Sequence, residues 1–224
     1  MKILALGDSF TYGEELDNPK EQGWVYIVAR QLGAEIKNSA RPGCSNDYII
    51  KRLMREIIEL QEKPDLIIIG WTSCSRIEEA DNELGAWCTW PARSLYGNNR
   101  NSFREERIKY RTLHNNENWE FRRWVRQVIL VQDFCKARGL DYRFVNTFGN
   151  QNCAKKANYL LEWMDREIDH SKFYGWKEYE GMMEWCWDHN KLCPIDKCPA
   201  GHPGPQSNEM IAQKFLDYYN NRIS

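Results

Sequence analysis

The segment Asp65-Leu66-Ile67-Ile68-Ile69-Gly70 limits the fold of this chain more than any other. Four consecutive apolar residues with no polar alternation cannot lie on a sheet with one wet face, so the strand needs cover on both sides. Pro64 ends the helical pattern that precedes it. That pattern, over 46–62, places Ile49, Ile50, Leu53, Ile57, Ile58 and Leu60 at helical spacing. A second amphipathic helix is expected over 119–138, with Trp124, Val128, Val131 and Cys135 on one face and Gly139 as its stop. Short apolar runs at 2–6, 34–38 and 140–147 read as further strands, and Trp24, Ile27, Val28 and Leu32 as a helix stopped at Gly33. Another helix is expected over 158–168. The last should start at an N-cap Ser207, with Glu209 in its first turn and Ile211, Phe215 and Tyr218 on its buried side. Strands alternating with helices predict a three-layer α/β/α sandwich around a central parallel sheet.

Two stretches, near 75–118 and 170–200, show no clean period and read as irregular insertions in a single domain of residues 1–224. The first is cap-like. It sets Trp87, Trp90, Tyr96, Phe103 and Tyr110 among Arg93, Arg100, Arg104, Arg107, Lys109 and Arg111. Such a run is either a solvated face or a surface for an anionic or sugar-bearing ligand. The formal net charge of −1 gives no global attraction to nucleic acid or an anionic membrane, and no nucleic-acid motif is present. No stretch approaches the ~20 apolar residues of a membrane-spanning helix. The apolar run at the N-terminus is shorter than the ~7–15-residue core of a signal peptide, so a cytoplasmic location is expected. Mean hydropathy is −0.72, yet the chain holds 10 Trp and 11 Tyr. Disordered chains lack aromatics, so a folded core is expected, with aromatic loops framing a cleft.

Gly7-Asp8-Ser9-Phe10-Thr11-Tyr12-Gly13 follows the first strand directly. Active sites of open α/β sheets lie beyond the carboxyl ends of their strands, so Ser9 is placed as an exposed nucleophile. Taken alone, the segment also fits an ordinary strand-to-helix turn capped by Ser or Asp. Two later segments bear on that choice. Asn38-Ser39-Ala40-Arg41-Pro42-Gly43 follows the second strand, and Gly201-His202-Pro203-Gly204-Pro205 precedes the last helix. In this order and on these elements, the three segments resemble the sequence blocks of the SGNH/GDSL hydrolases, across nearly the whole chain. The resemblance implies a flavodoxin-like sheet and a serine esterase. Ser9 would be the nucleophile and His202 its base, with the Ser9 and Gly43 amides in the oxyanion hole. No cofactor is needed for that chemistry.

The chain departs from the family twice. The third block, normally Gly-x-Asn-Asp, reads Gly70-Trp71-Thr72-Ser73, so Thr72 or Ser73 would donate in place of the Asn, or the hole has two donors only. The acid normally found three residues before the histidine is replaced by Pro199. Asp196 is the nearest upstream carboxylate; a Ser–His dyad and a solvated Asp196 are the other readings. Separately, Cys186, His189, Cys193 and Cys198 form a C-x₂-H-x₃-C-x₄-C cluster, which fits either a structural tetrahedral zinc or buried thiols. The expected partner is a small substrate with a short acyl, such as acetyl, oxygen ester, on carbohydrate in the leading case. An SGNH-fold protein that binds an acylated or glycan ligand without turnover, and a zinc-braced module for a protein partner, are the competing classes.

Overall fold

The computed structural model describes residues 1–59, 63–81, 86–91, 117–148, 162–176, 181–188 and 202–221. Five parallel strands form the central sheet in the order β2-β1-β3-β6-β7: β1 (Lys2–Leu6), β2 (Glu35–Asn38), β3 (Leu66–Trp71), β6 (Tyr142–Asn146) and β7 (Phe173–Tyr174). β3 lies at its centre with Ile68 opposite both Ala5 and Arg143, and every one of its residues is buried. This is the two-sided burial that an unalternating Ile run demands.

The pleat divides the core in two. Leu4, Leu6, Ile67, Ile69, Tyr142 and Phe144 face α4 (Asn46–Glu59) and α5 (Glu117–Ala137), which bring Ile49, Leu53, Trp124, Val128 and Val131. Ile3, Ala5, Leu66, Ile68 and Val145 face α3 (Trp24–Gln31), α7 (Met182–Asp188) and α8 (Pro205–Asn220). The layer is closed on that side by Trp24, Val28, Trp185, Ile211 and Phe215. Each aliphatic side chain sealed here contributes about 1.5–3 kcal/mol relative to exposure. The three-layer α/β/α sandwich expected from the sequence is therefore the fold.

Several local expectations need correction. Trp176 and Trp185, from the second irregular stretch, lie inside these two cores, as do Trp71 and the helical Trp24 and Trp124, and Trp124 stacks on Trp176 at 5.4 Å. Large rings bury more area per residue, so a polar chain can close its core with few side chains. Part of the first irregular stretch is an antiparallel hairpin, β4 (Arg76–Asp81) with β5 (Ala86–Pro91), in register Ile77 to Trp90. The second stretch contains β7 and α7. α8 begins at Pro205 with Gly204 as N-cap, so Ser207 is a buried residue of its first turn and not its N-cap. Proline at the first helical position supplies the required φ and lacks only an amide hydrogen that would have had no partner there. Tyr218 is only half-buried and stacks on Tyr174. Among the described residues, no helix is long and apolar enough to cross a membrane.

Candidate active site

β1 ends at Leu6, and the chain turns at once into a single helical turn, α1 (Ser9–Tyr12). Asp8 caps it by accepting from the Phe10 amide, and Gly13 closes it in the left-handed region at φ 83°. α1 is wedged against the sheet by Thr11. A Cβ built on Gly7 or on Gly70 would come within 2.3 Å of the Thr11 hydroxyl oxygen, so the strand ends on either side must be glycine. This close approach, more than turn flexibility, explains Gly7 and Gly70.

The loop after β2 is laced to the same place. The Ser39 amide donates to the Ala5 carbonyl, the Arg41 amide to Gly7 and the Cys44 thiol to Gly7. Gly43 tops this loop with φ 68° and open space where a side chain would stand. Neither the Ser9 amide nor the Gly43 amide is committed to a hydrogen bond among the described residues. Both amide protons are therefore left without an acceptor among the described residues. The Ser9 side chain is nearly buried and its hydroxyl has no hydrogen-bond partner among the described residues.

His202 arrives from the other end of the chain. Asn208, on the first turn of α8, accepts from the Trp24 amide and donates to the carbonyls of Pro203 and Gly204. These bonds tie the His202-Pro203-Gly204 turn to α3, and the His202 ring meets Phe10 edge-on at 5.8 Å. Ser9, Gly43 and His202, far apart in sequence, are therefore gathered at the carboxyl end of the sheet.

The structure differs from the sequence expectation over the third block. The Thr72 hydroxyl donates its proton to Asp8 at 2.6 Å and accepts from Arg76 at 2.8 Å, while the Thr72 amide donates to Asn46. It therefore has no proton left for an oxyanion. The Ser73 hydroxyl pairs with that of Ser75. Asp8, fully buried, also accepts from Thr147 and faces Arg76 at 3.3 Å. The first and third blocks are thus joined beneath Ser9 by a charged network, because an unpaired buried carboxylate would be prohibitively costly. Arg76 reaches further, donating to the Cys44 carbonyl and lying over the Phe148 ring. Arg76, Asn46 and Thr147 were not singled out from the sequence. A lone Arg or Thr carries no signal until the fold places it.

Asp196, His189, Cys193 and Cys198 lie outside the described residues, as does most of the Arg-rich segment. Cys186 packs in the core beside Met182 and Trp185. Among the described residues, two glutamates from the loop after α1 stand against His202. Glu15 reaches Nδ1 at 2.7 Å and Glu14 reaches Nε2 at 3.2 Å. Glu15 is the one non-glycine with positive φ among the described residues, at 67°. For an L-residue that conformation costs roughly 1–2 kcal/mol, and it is held by the left-handed Gly13 on one side and buried Leu16 on the other.

Cys44 is another nucleophile-bearing residue at this end of the sheet. Burial, followed by the nearby Asp8 charge, pushes its thiol up to about 12. Cys135, on the buried face of α5, is also pushed up to about 12 by burial. At neutral pH both are protonated and inert. Native protein treated with iodoacetamide at pH 7.5 should show neither residue alkylated by peptide mass mapping, and both alkylated once unfolded. Fast native labelling of Cys44 would make it a rival nucleophile.

This sheet order, with a serine turn after β1 and a histidine turn before α8, is the fold of the SGNH/GDSL esterases. The structure is similar to a lipolytic G-D-S-L family protein from Veillonella parvula DSM 2008 at 15% identity, covering 97% of both chains with a TM-score of 0.53. It is similar to the psychrotrophic esterase EstA from Pseudoalteromonas sp. at 12% identity, over 99% of this chain and 98% of that one, TM-score 0.56. A two-domain esterase active on acetylated mannans matches at 11% identity and TM-score 0.55, over 99% of this chain and 49% of its own. The chain belongs to the family described as a family of unknown function (DUF6071), whose model matches residues 13–224. No curated protein matches the sequence.

Proposed function

We propose that the protein is a serine esterase that hydrolyses short acyl oxygen esters, with O-acetylated carbohydrate as its substrate class. One observation carries the reading. The Asn208 clamp holds His202 against Phe10, the immediate neighbour of Ser9, where the Ser9 and Gly43 amides are uncommitted. Ser9 Oγ attacks the ester carbonyl as His202 takes its proton, and the Ser9 and Gly43 N–H groups hold the oxyanion. Collapse of this intermediate breaks the C–O bond, and His202 protonates the departing alcohol. Water, deprotonated by His202, then releases the acid and restores Ser9. The carbohydrate assignment draws on the aromatic and cationic residues of the sequence near 75–118 and on the resemblance to an esterase active on acetylated mannans.

The test is labelling by a fluorophosphonate and turnover of p-nitrophenyl acetate, with wild type beside Ser9→Ala. Both signals are expected in wild type and lost in the variant. Acetate release from acetylated mannan, compared with cleavage of a long-chain lysophospholipid, then tests the substrate class; preference for the lipid would overturn it. A folded wild type that neither labels nor turns over would replace the enzyme with an acyl-ligand binding protein on the same fold.

A further inference from the structure

The esterases that this chain resembles carry their orienting acid three residues before the histidine, and here that position is Pro199. We propose that Glu15, from the loop after the nucleophile helix, is the positioning carboxylate of His202, and that Glu14 holds the opposite ring nitrogen until Ser9 takes its place. The proposal rests on the esterase reading.

Three features support it. Glu15 Oε2 stands 2.7 Å from Nδ1, the length of a charge-assisted hydrogen bond, whereas Glu14 is at 3.2 Å from Nε2. The His202 side chain is 18% exposed and that of Glu15 22%, against 39% for Glu14, so Glu15 is the better shielded partner. Glu15 also occupies a left-handed backbone position that almost any substitution to glycine would relax, yet the chain holds a glutamate there. Backbone strain retained at a residue whose side chain grips the ring is what positioning requires.

The two glutamates cannot act alike. A carboxylate accepts hydrogen bonds, so facing both nitrogens it matches the doubly protonated ring. When His202 is neutral and Glu15 keeps the Nδ1 proton, Nε2 carries a lone pair that repels Glu14. The Ser9 hydroxyl, a donor, is the group that can occupy that side. Glu15 therefore selects the tautomer that makes Nε2 a base, and Glu14 is displaced in the working form. Glu14 and Glu15 are the ion-pairing partners of His202 among the described residues.

The experiment measures kcat/KM for p-nitrophenyl acetate in wild type, Glu15→Gln, Glu15→Gly, Glu14→Gln and Asp196→Asn, together with the His202 ring tautomer from its ¹⁵N NMR shifts. Glu15→Gln should lower kcat/KM by on the order of 10²–10⁴. It should also weaken the preference for a proton on Nδ1, since a neutral amide oxygen accepts that proton less strongly than a carboxylate. Glu15→Gly should lose activity equally while its Tm stays at or above wild type, because glycine accepts the left-handed backbone without strain. That separates the carboxylate from the fold. Loss of rate and of the Nδ1–H tautomer on Glu14→Gln or Asp196→Asn, with Glu15→Gln at the wild-type rate, would overturn the assignment. Wild type that neither labels nor turns over, with Glu15→Gln still changing the tautomer, would bring down the esterase reading alone. An unchanged tautomer and unchanged rate in Glu15→Gln would bring down Glu15 alone.

Discussion

Replacing His202 with alanine will lower kcat/KM by on the order of 10⁵-fold, and adding Ser9→Ala will cost little more. In the proposed mechanism the two residues act in one proton transfer. Without the imidazole the Ser9 hydroxyl is a poor nucleophile at neutral pH, and without Ser9 the base has nothing to activate. What survives in either variant is binding plus the Ser9 and Gly43 amides, the source of residual catalysis in such sites. The fold should tolerate the change. The turn carrying His202 is held by the Asn208 side chain and by Pro203 packing, and neither depends on the ring. Single-turnover rates for the two single variants and the double variant check the expectation, with circular dichroism as the folding control. If the double variant lost the product of the two separate factors, the residues would be acting independently and a Ser–His mechanism would be untenable.

A large effect on stability is expected at Gly70. Its Cβ position lies 2.3 Å from the Thr11 hydroxyl oxygen, and its other near neighbours, Thr11 Cβ and Thr147 Oγ1, are at 3.6 and 3.7 Å, ordinary contacts. Gly70→Ala should therefore destabilise by about 2–3 kcal/mol through overpacking at one atom. For a chain this long, that is a fall in Tm of roughly 5–10 °C. Removing that atom should restore most of the loss. The Thr11 hydroxyl is buried and makes no hydrogen bond among the described residues, so Thr11→Ala alone forfeits little polar energy. The Gly70→Ala/Thr11→Ala pair should show a coupling of about 1–2 kcal/mol in a denaturation cycle. Additive losses would mean that α1 shifts bodily to relieve the contact. Such a shift would also move Ser9, and esterase activity would then fall with stability.

Much of this architecture could be read from residue order. The Ile67-Ile68-Ile69 run demanded a covered parallel strand, and the helices at 46–59 and 117–137 follow from apolar spacing. Gly-Asp-Ser after the first strand and His-Pro before the last helix put Ser9 and His202 forward as candidates. Those signals are local, because a strand's burial or a helix's stripe is written into its own neighbours. β7, only two residues long, has no period to detect, and its strand geometry comes from pairing with β6. The β4–β5 hairpin carries mixed polar and apolar residues whose strand character comes from the ladder.

The site shows the same division more sharply. Sequence spacing offers Asp196, which lies outside the described residues, because families keep their acid near the histidine in the chain. A carboxylate acts through space, and the fold delivers Glu14 and Glu15 to His202 from the far end of the sequence. Thr72 stands where the family has its Asn, but its hydroxyl donates to the buried Asp8. Residue order determined the sheet, the helices and the two residues offered for proton transfer, since hydrophobic period and turn chemistry are short-range properties. Tertiary structure alone decided which charged groups surround them, since a side chain's electrostatic partners depend on distances that only folding sets.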